Sequence, residues 1–458
     1  MGRITLQEAA RWCGGQIDPK YKDITFLGAN NDTRTLKPGQ LFVALKGARD
    51  GHAFIPTAME QGAAAVLCSH CDGDYPAIVV DDPRLALGQI AKQERQRIGM
   101  KVVGITGSVG KTTTKEMVAA VLEMKYRVEK TPVNHNNDIG MPMAILSMPE
   151  DTQFAVLEMG MNHFREIAYL SEIANPDIAV IVNIGTMHIE HLGSMEGILQ
   201  AKLEILEGMR EGGRVILNGD DPLLWNQHKV LKDALYFGVQ NPDCSVIGDN
   251  VVEDPEQLCF TVQHEKDSFA VTLPLEGAHY ILDALAAVSV GLECDVPGQQ
   301  ICKALSQFVN ADGRQEIFRA GAYTIIKDCY NAGPESMSAA LSVLRNKPGR
   351  RIAVLGDMLE LGTCTQAEHY RVGRLAAENV DLLFAYGPNS ERTLNGAITG
   401  GMPESRARAF TDAQRLVSTL KQLAQPGDVI LFKGSRGMKM ELLLEAFLKD
   451  EPATEECK

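Results

Sequence analysis

Residues 104–115 read Gly-Ile-Thr-Gly-Ser-Val-Gly-Lys-Thr-Thr-Thr-Lys, with the apolar pair Val102-Val103 before them and a helical pattern from Glu116 after them. Where glycines join a strand to a helix in this way, backbone N–H groups can curl around phosphate oxygens and the helix N-terminus adds partial positive charge. Lys111 can reach the terminal phosphates of a nucleotide, and the hydroxyl of Thr112 can hold Mg²⁺. The widespread Gly-x-x-x-x-Gly-Lys-Ser/Thr pattern would have its first glycine at the position of Ile105. The stretch therefore predicts a phosphate loop of an uncommon form, with an α/β sheet around it.

Downstream, apolar runs and helical patterns alternate: strands over 102–106, 154–158, 178–182 and 214–217, helices over 112–124, 165–174 and 195–209. Such alternation predicts a parallel sheet covered on both faces, with ligands at the carboxyl ends of its strands. Residues 244–275 interrupt it with β-rich runs, helices follow near 280–292 and 299–308, and Asp312-Gly313-Arg314 marks a boundary. The alternation then resumes with strands over 324–327, 352–355, 382–386 and 429–432 and helices over 337–344, 367–378 and 413–423, the pattern of a second, Rossmann-like domain. Ahead of the phosphate loop, short apolar runs at 40–45, 63–67 and 77–80 among Gly-, Asp- and Pro-rich turns predict a small mixed α/β module without a regular βαβ beat. The expected organisation is three α/β domains, over 1–98, 99–314 and 315–458, with a cleft between moving parts.

Composition narrows the partners. The formal charge is −14 and no basic run occurs, which argues against nucleic acid and anionic membranes as partners. No stretch approaches the roughly 18 continuous apolar residues of a membrane span, and residues 1–16 lack the apolar core of a signal peptide, so a cytoplasmic location is expected. The ten cysteines are scattered, as in a reducing compartment, and Cys68-Ser-His-Cys71 reads as a strand end beside a turn because no second zinc half-site accompanies it.

Several other polar residues fall just after predicted strands. Glu158 ends Phe154-Ala-Val-Leu-Glu158, at the sheet edge that carries the phosphate loop, where a Mg²⁺ ligand is expected; a solvated strand-end acid explains it equally. The run 183–191, Asn-Ile-Gly-Thr-Met-His-Ile-Glu-His, places His188 at the same edge. Lys202 lies on the next helix, where spacing alone gives a solvated lysine. Asn134-His-Asn-Asn-Asp138 is either an ordinary loop or an amide cluster for a carboxylate or phosphate. In the third segment Asp328-Cys-Tyr-Asn331, Gly356-Asp357-Met358 and Lys433-Gly-Ser-Arg436 each follow a strand, and Lys433 with Arg436 can clamp an anion.

With these stretches in order, the chain resembles the Mur ligases over nearly its full length. The resemblance rests on residues 106–116, 134–140, 157–160, 183–188 and 201–205, on Asp32-Thr-Arg34, Pro38-Gly39, Lys46-Gly47 and Asp50-Gly-His52, and on 328–337, 356–362 and 433–436. It implies an ATP-dependent amide ligase of peptidoglycan precursor synthesis, acting through an acyl phosphate. The Lys-Glu that follows the loop, Lys115-Glu116, sets the chain apart from ligases adding earlier residues, and implies UDP-N-acetylmuramoyl-tripeptide and D-alanyl-D-alanine as the joined substrates. By position, the resemblance gives ATP to Gly107, Ser108, Val109, Gly110, Lys111, Thr112, Thr113, Arg314, Asp328 and Asn331, and two Mg²⁺ to Thr112, Glu158, His188 and a carbamylated Lys202, with Lys111, His188 and Lys202 catalytic. It gives the substrates to Thr33, Arg34, Lys46, Gly47, Asp50 and His52 in the UDP-sugar module, to Asn134, Asn136 and Asn137, and to Lys433, Ser435 and Arg436. The chain departs from the family pattern at Tyr280, Asp283, Lys327 and Gly333, so no adenine or ribose contact is carried over to Tyr280, Asp283 or Lys327. A monomer is expected. Two rivals are another amide ligase of the same fold, such as a folylpolyglutamate synthase, and a binding protein in which ATP only drives closure.

Overall fold

The computed structural model of the protein describes residues 4–254 and 257–449, so the ends of the first and third expected segments lie outside the described residues. Four sheets carry the described residues. A two-stranded pair, Ile4–Thr5 with Thr25–Phe26, precedes a four-stranded sheet of Ala29–Asn30, Leu41–Val43, Ala65–Cys68 and Ala77–Val79. That second sheet is wholly parallel, although the sequence shows no regular alternation there, because several crossovers are made by loops and short helical turns. Cys68 does end a strand.

The central sheet has nine strands. Lys101–Thr106 lies between Ile178–Ile181 and Phe154–Glu158, parallel to both, with Ile105 opposite Glu158 and Thr106 opposite Ile181. The chain leaves Lys101–Thr106 to one side and returns on the other, and the crevice at that reversal is where α/β sheets place ligands. The β-rich runs of 244–275 do not interrupt this sheet. Val246–Glu253 pairs parallel with Leu235–Gly238, then Leu258–His264 and Asp267–Leu273 add antiparallel, so the same sheet continues and is mixed. The alternating apolar residues Leu258, Phe260, Val262, Val271 and Leu273 are buried in one core with the helices Tyr280–Glu293 and Gly298–Ser306. The helix expected over 195–209 is Met195–Leu203, followed by a tighter turn, Glu204–Leu206.

The last sheet has six strands. Five are parallel, from Tyr323–Asp328 through Val429–Lys433, Arg351–Gly356 and Leu382–Tyr386 to Ala407–Phe410, and Glu316–Ala320 closes one edge antiparallel. Helices such as Pro334–Arg345 and Met440–Leu448 pack on it, the doubly wound arrangement expected. Among the described residues no helix is long and apolar enough to cross a membrane.

Candidate functional site

The strand Lys101–Thr106 delivers the chain to the carboxyl edge of the central sheet, and the helix Lys111–Glu123 begins after four loop residues. Ile105 is fully buried in the strand, which is why this loop forgoes the usual early glycine: the position belongs to the core. Gly110 has φ +84°, and a Cβ there would stand 2.4 Å from Asp283 Oδ1, so glycine is required by both conformation and packing. The amides of Ser108 and Val109 each donate to Asn183 Oδ1 at 3.0 Å, and Asn183 Nδ2 donates to Val109 O at 2.9 Å. Ser108 Oγ donates to Gly185 O at 3.0 Å and accepts from Gly185 N at 2.8 Å. The loop after Ile178–Ile181 thus shapes the phosphate loop. Lys111 Nζ folds back onto Gly107 O at 2.8 Å and Ser108 O at 3.2 Å. Enclosure pushes its pKa down and Arg314 adds to that effect, while Glu158 opposes it.

Glu158 is the hub of the acidic side. Its Oε2 accepts from Thr112 Oγ1 at 2.9 Å, its Oε1 from Asn136 Nδ2 at 2.9 Å, and its own N–H donates to Thr131 Oγ1 at 3.0 Å. Arg314 Nη2 reaches Thr112 Oγ1 at 3.2 Å, bringing a guanidinium from beyond the central sheet to the loop. A carboxylate and a hydroxyl side by side beside a phosphate loop are the hard oxygen donors that Mg²⁺ takes, so Thr112 and Glu158 fit the ion. His188 is not joined to them. It sits at φ 65° with Nδ1 2.6 Å from Glu360 Oε2, and it holds the Glu360 carboxyl below the usual range. Among the described residues no group of three or more His, Cys, Asp and Glu side chains is arranged to hold a metal.

Lys202, on the helix Met195–Leu203, is only 2% exposed, against the solvated lysine that spacing suggests. No ion pair forms at its amine among the described residues, and burial, with the charge of Lys111, pushes its pKa well down. Lys111 and Arg314 therefore stand as two cations beside Glu158, with the Lys202 amine, its proton weakened by burial, close to Lys111, a setting for polyphosphate.

Asp283, on Tyr280–Glu293, lies behind the loop. It accepts from Thr114 Oγ1 at 2.8 Å, and burial pushes its pKa up to about 7, with that bond and Arg314 opposing. An acid raised in the folded state contributes stability that is complete below its unfolded pKa near 4 and is lost as the pH rises through about 7. Asp283→Asn keeps the acceptor without the charge, so its Tm should exceed wild type by several degrees at pH 8 and match it only near pH 4 and below, as thermal melts will show. Tyr280 OH is tied to Asn310 Nδ2 at 3.0 Å, and Asn310 Oδ1 accepts from Thr113 Oγ1 at 3.4 Å. Lys327 turns away to Glu316, at 2.9 Å.

The C-terminal segment meets the central one across the same cleft. Glu335 Oε1 accepts from Thr186 N at 2.9 Å and Thr186 Oγ1 at 3.1 Å, and a Cβ on Gly185 would stand 2.9 Å from the Glu335 carboxyl carbon. Tyr330 OH donates to Asn134 Oδ1, and the Tyr330 ring stacks 3.9 Å from the Arg314 guanidinium. The clamp expected of Lys433 and Arg436 is not assembled: Lys433 is buried, its Nζ donating to Asp328 Oδ2 at 2.5 Å and Asn331 O at 3.2 Å, and Arg436 pairs with Glu441 at 2.9 Å. Ser435 Oγ likewise bonds within its own domain, to Ala332 O at 3.0 Å. Asn137 accepts from Ile139 N and Gly140 N, shaping its turn rather than facing the cleft.

In the N-terminal module Arg34 pairs with Asp32, and Lys46, Gly47 and Asp50 form an exposed turn. His52 is buried; Ser69 N donates to its Nε2 at 3.0 Å, so the ring proton sits on Nδ1, 2.6 Å from Asp50 Oδ1. A cavity of about 480 Å³ opens between Asp32, Thr35 and Lys37 on one side and Lys130, His135 and Met143 on the other, and Lys46, Gly47, Asp50 and His52 do not line it. Thr33 and Arg34 flank it without lining it. Sequence reasoning missed Thr131, Asn310, Glu335 and Glu360. Glu335 and Glu360 lie inside the stretches 328–337 and 356–362 that carry the resemblance, and Thr131 lies next to Val128–Lys130 and ahead of the amide cluster, but no residue pattern marks any of them singly.

Comparison with known proteins covers the whole of this architecture. Residues 23–95 match the family model for the Mur ligase family catalytic domain, 105–291 that for the Mur ligase middle domain, and 313–436 that for the Mur ligase glutamate ligase domain. The UDP-N-acetylmuramoyl-tripeptide–D-alanyl-D-alanine ligase of Bacillus subtilis is 40% identical over 98% of this chain and 99% of its own. A crystal structure of MurF from Acinetobacter baumannii superposes with TM-score 0.89 at 33% identity, over 98% of this chain and 100% of that one. MurF from Thermotoga maritima, solved with ADP, superposes with TM-score 0.80 at 28% identity, over 93% and 97%.

Proposed function

Since the chain belongs to the Mur ligase family, we propose that it joins D-alanyl-D-alanine to UDP-N-acetylmuramoyl-tripeptide with conversion of ATP to ADP and phosphate. The observation that carries this reading is the pair of cations Lys111 and Arg314 beside Glu158 and Thr112, at the mouth of a phosphate loop and facing a second α/β domain. A carboxylate is a poor acceptor for an amine because oxide is a poor leaving group. In the first step the terminal carboxylate oxygen attacks the γ-phosphorus and ADP leaves, giving an acyl phosphate. In the second the amine adds to the acyl carbon, and the tetrahedral intermediate expels phosphate as the amine loses its proton.

Lys111 and Arg314 offset charge on the transferring phosphoryl, and the Asn183-braced loop holds the nucleotide phosphates in line. Thr112 and Glu158 would hold Mg²⁺, and His188 would join them only on leaving Glu360, with a carbamylated Lys202 as a further oxygen ligand. When bound, the ion neutralises phosphate charge. For Lys202 the reading is a carbamate: a buried amine that has given up its proton can add CO₂ and so turn a repelling cation into an oxygen ligand. The module with Thr33, Arg34, Lys46, Gly47, Asp50 and His52 binds the UDP-sugar end, and the cavity beside it accepts part of that substrate. Asn134 and Asn136 order the cleft around Glu158 and Tyr330, Thr113 and Asn331 flank the nucleotide, and closure of the C-terminal domain keeps water from the acyl phosphate.

Phosphate release measured across pairs of nucleotide-sugar peptides and dipeptides tests the assignment. Release requires both the tripeptide precursor and D-alanyl-D-alanine; ATP turnover with neither, or nucleotide binding without turnover when both are present, contradicts it. Glu335→Ala removes the carboxylate that docks the C-terminal domain at Thr186, so KM for ATP should rise about tenfold, with a smaller effect on Tm, in steady-state kinetics and melting curves.

A further inference from the structure

Lys115, the last residue of the phosphate-loop stretch, has no part in the mechanism above, and it is completely buried. A lysine removed from water is costly unless its ammonium is met. Its Nζ donates to Thr131 O at 2.7 Å and pairs with Glu116 Oε1 at 3.0 Å, while the other oxygen of Glu116 pairs with Lys130. Thr131 is itself held on its other side. Its N–H donates to Val156 O at 3.1 Å, and its hydroxyl accepts the Glu158 N–H at 3.0 Å. Thr112 lies three residues before Lys115, and so on the same side of the Lys111–Glu123 helix, and it bonds Glu158 at 2.9 Å. The Lys115 ammonium therefore pins the helix that carries Thr112 to the residue that fixes the backbone of Glu158. Beyond Thr131 the chain enters the loop that brings Asn136 to the other Glu158 oxygen.

We propose that Lys115 is a positioning residue for the magnesium site: acting through Thr131, it sets the Glu158 carboxylate against the Thr112 hydroxyl. The inference rests on the reading of Glu158 as a magnesium ligand. In Lys115→Met the Glu116 carboxylate keeps Lys130 as its partner, so no buried charge is left unpaired, and the ammonium matters above all for the direction it gives Thr131.

Lys115→Met, Thr131→Val and Glu158→Gln in the full chain separate these statements. Magnesium dependence of turnover is measured with the other substrates saturating, and ADP affinity is measured by calorimetry with Mg²⁺ and with EDTA. Lys115→Met and Thr131→Val should each raise the half-saturating Mg²⁺ concentration about tenfold and cut the Mg²⁺-dependent gain in ADP affinity, with ADP affinity in EDTA unchanged. The double variant should not exceed the larger single effect, since both act on one contact. Wild-type Mg²⁺ dependence in Lys115→Met, beside a Glu158→Gln variant that has lost it, overturns the positioning role. Wild-type Mg²⁺ dependence in Glu158→Gln overturns the metal reading and the inference with it. If Lys115→Met fails to fold, Thr131→Val decides: an unchanged Mg²⁺ requirement there overturns the proposal.

Discussion

Lys111→Ala is expected to lower kcat about 10³-fold while the fold persists, as rapid-quench or coupled ADP assays beside a melting curve will show. The side chain is poised by its own loop, 2.8 Å from Gly107 O and 3.2 Å from Ser108 O, where the proposed transfer would move phosphoryl charge. Enclosed protein amplifies such a charge, because the transition state cannot draw on water instead. The same enclosure lowers the lysine pKa, so the folded chain bears a cost for the cation that the alanine variant no longer bears. The loop itself stays braced by Asn183 and Gly185. Activity and stability should therefore separate; wild-type kcat in a folded Lys111→Ala variant contradicts the assigned role.

Lys202→Ala should lose about 10²-fold in kcat, and short carboxylic acids such as acetate should restore part of it. The variant removes a buried side chain that has no ion-pair partner among the described residues, so its loss leaves no orphaned charge. If the wild-type residue acts as a carbamate, what the variant lacks is an oxygen anion in a space large enough to admit a small carboxylate. Rescue should rise with acid size to the limit of that space and then fall. Rescue by primary amines instead of carboxylates points to a plain ammonium and contradicts the carbamate.

These two residues also mark what the sequence discloses. Lys111 is legible because its loop obeys a local rule: a glycine, a lysine and three threonines in succession where a strand gives way to a helix. Glu158 is legible because an acid ending an apolar strand must lie at the carboxyl edge. Lys202 is hidden to periodicity, since whether a helix face meets solvent or a cleft depends on what packs against it; only the family resemblance singles it out. Thr131, Asn310 and Glu335 are hidden for the same reason. Each acts through partners distant in sequence, as Glu335 does with Thr186 and Asn310 with Thr113. Lys433 shows the converse: a lysine after a strand reads as an anion clamp, but Asp328 from the neighbouring strand already holds its charge. The β-rich runs of 244–275 read as an interruption because alternation alone does not reveal that an antiparallel ribbon can extend a parallel sheet.

The central claim is that this cleft activates a carboxylate by phosphorylating it, and oxygen transfer tests that directly. UDP-N-acetylmuramoyl-tripeptide labelled with ¹⁸O in its terminal carboxylate is turned over with ATP and D-alanyl-D-alanine, and the released phosphate is analysed by mass spectrometry. In the acyl phosphate the bridging oxygen comes from the carboxylate, and it leaves with phosphate when the amine displaces it. Phosphate carrying one substrate-derived ¹⁸O per amide bond formed is the predicted result; unlabelled phosphate released in step with amide formation contradicts the account.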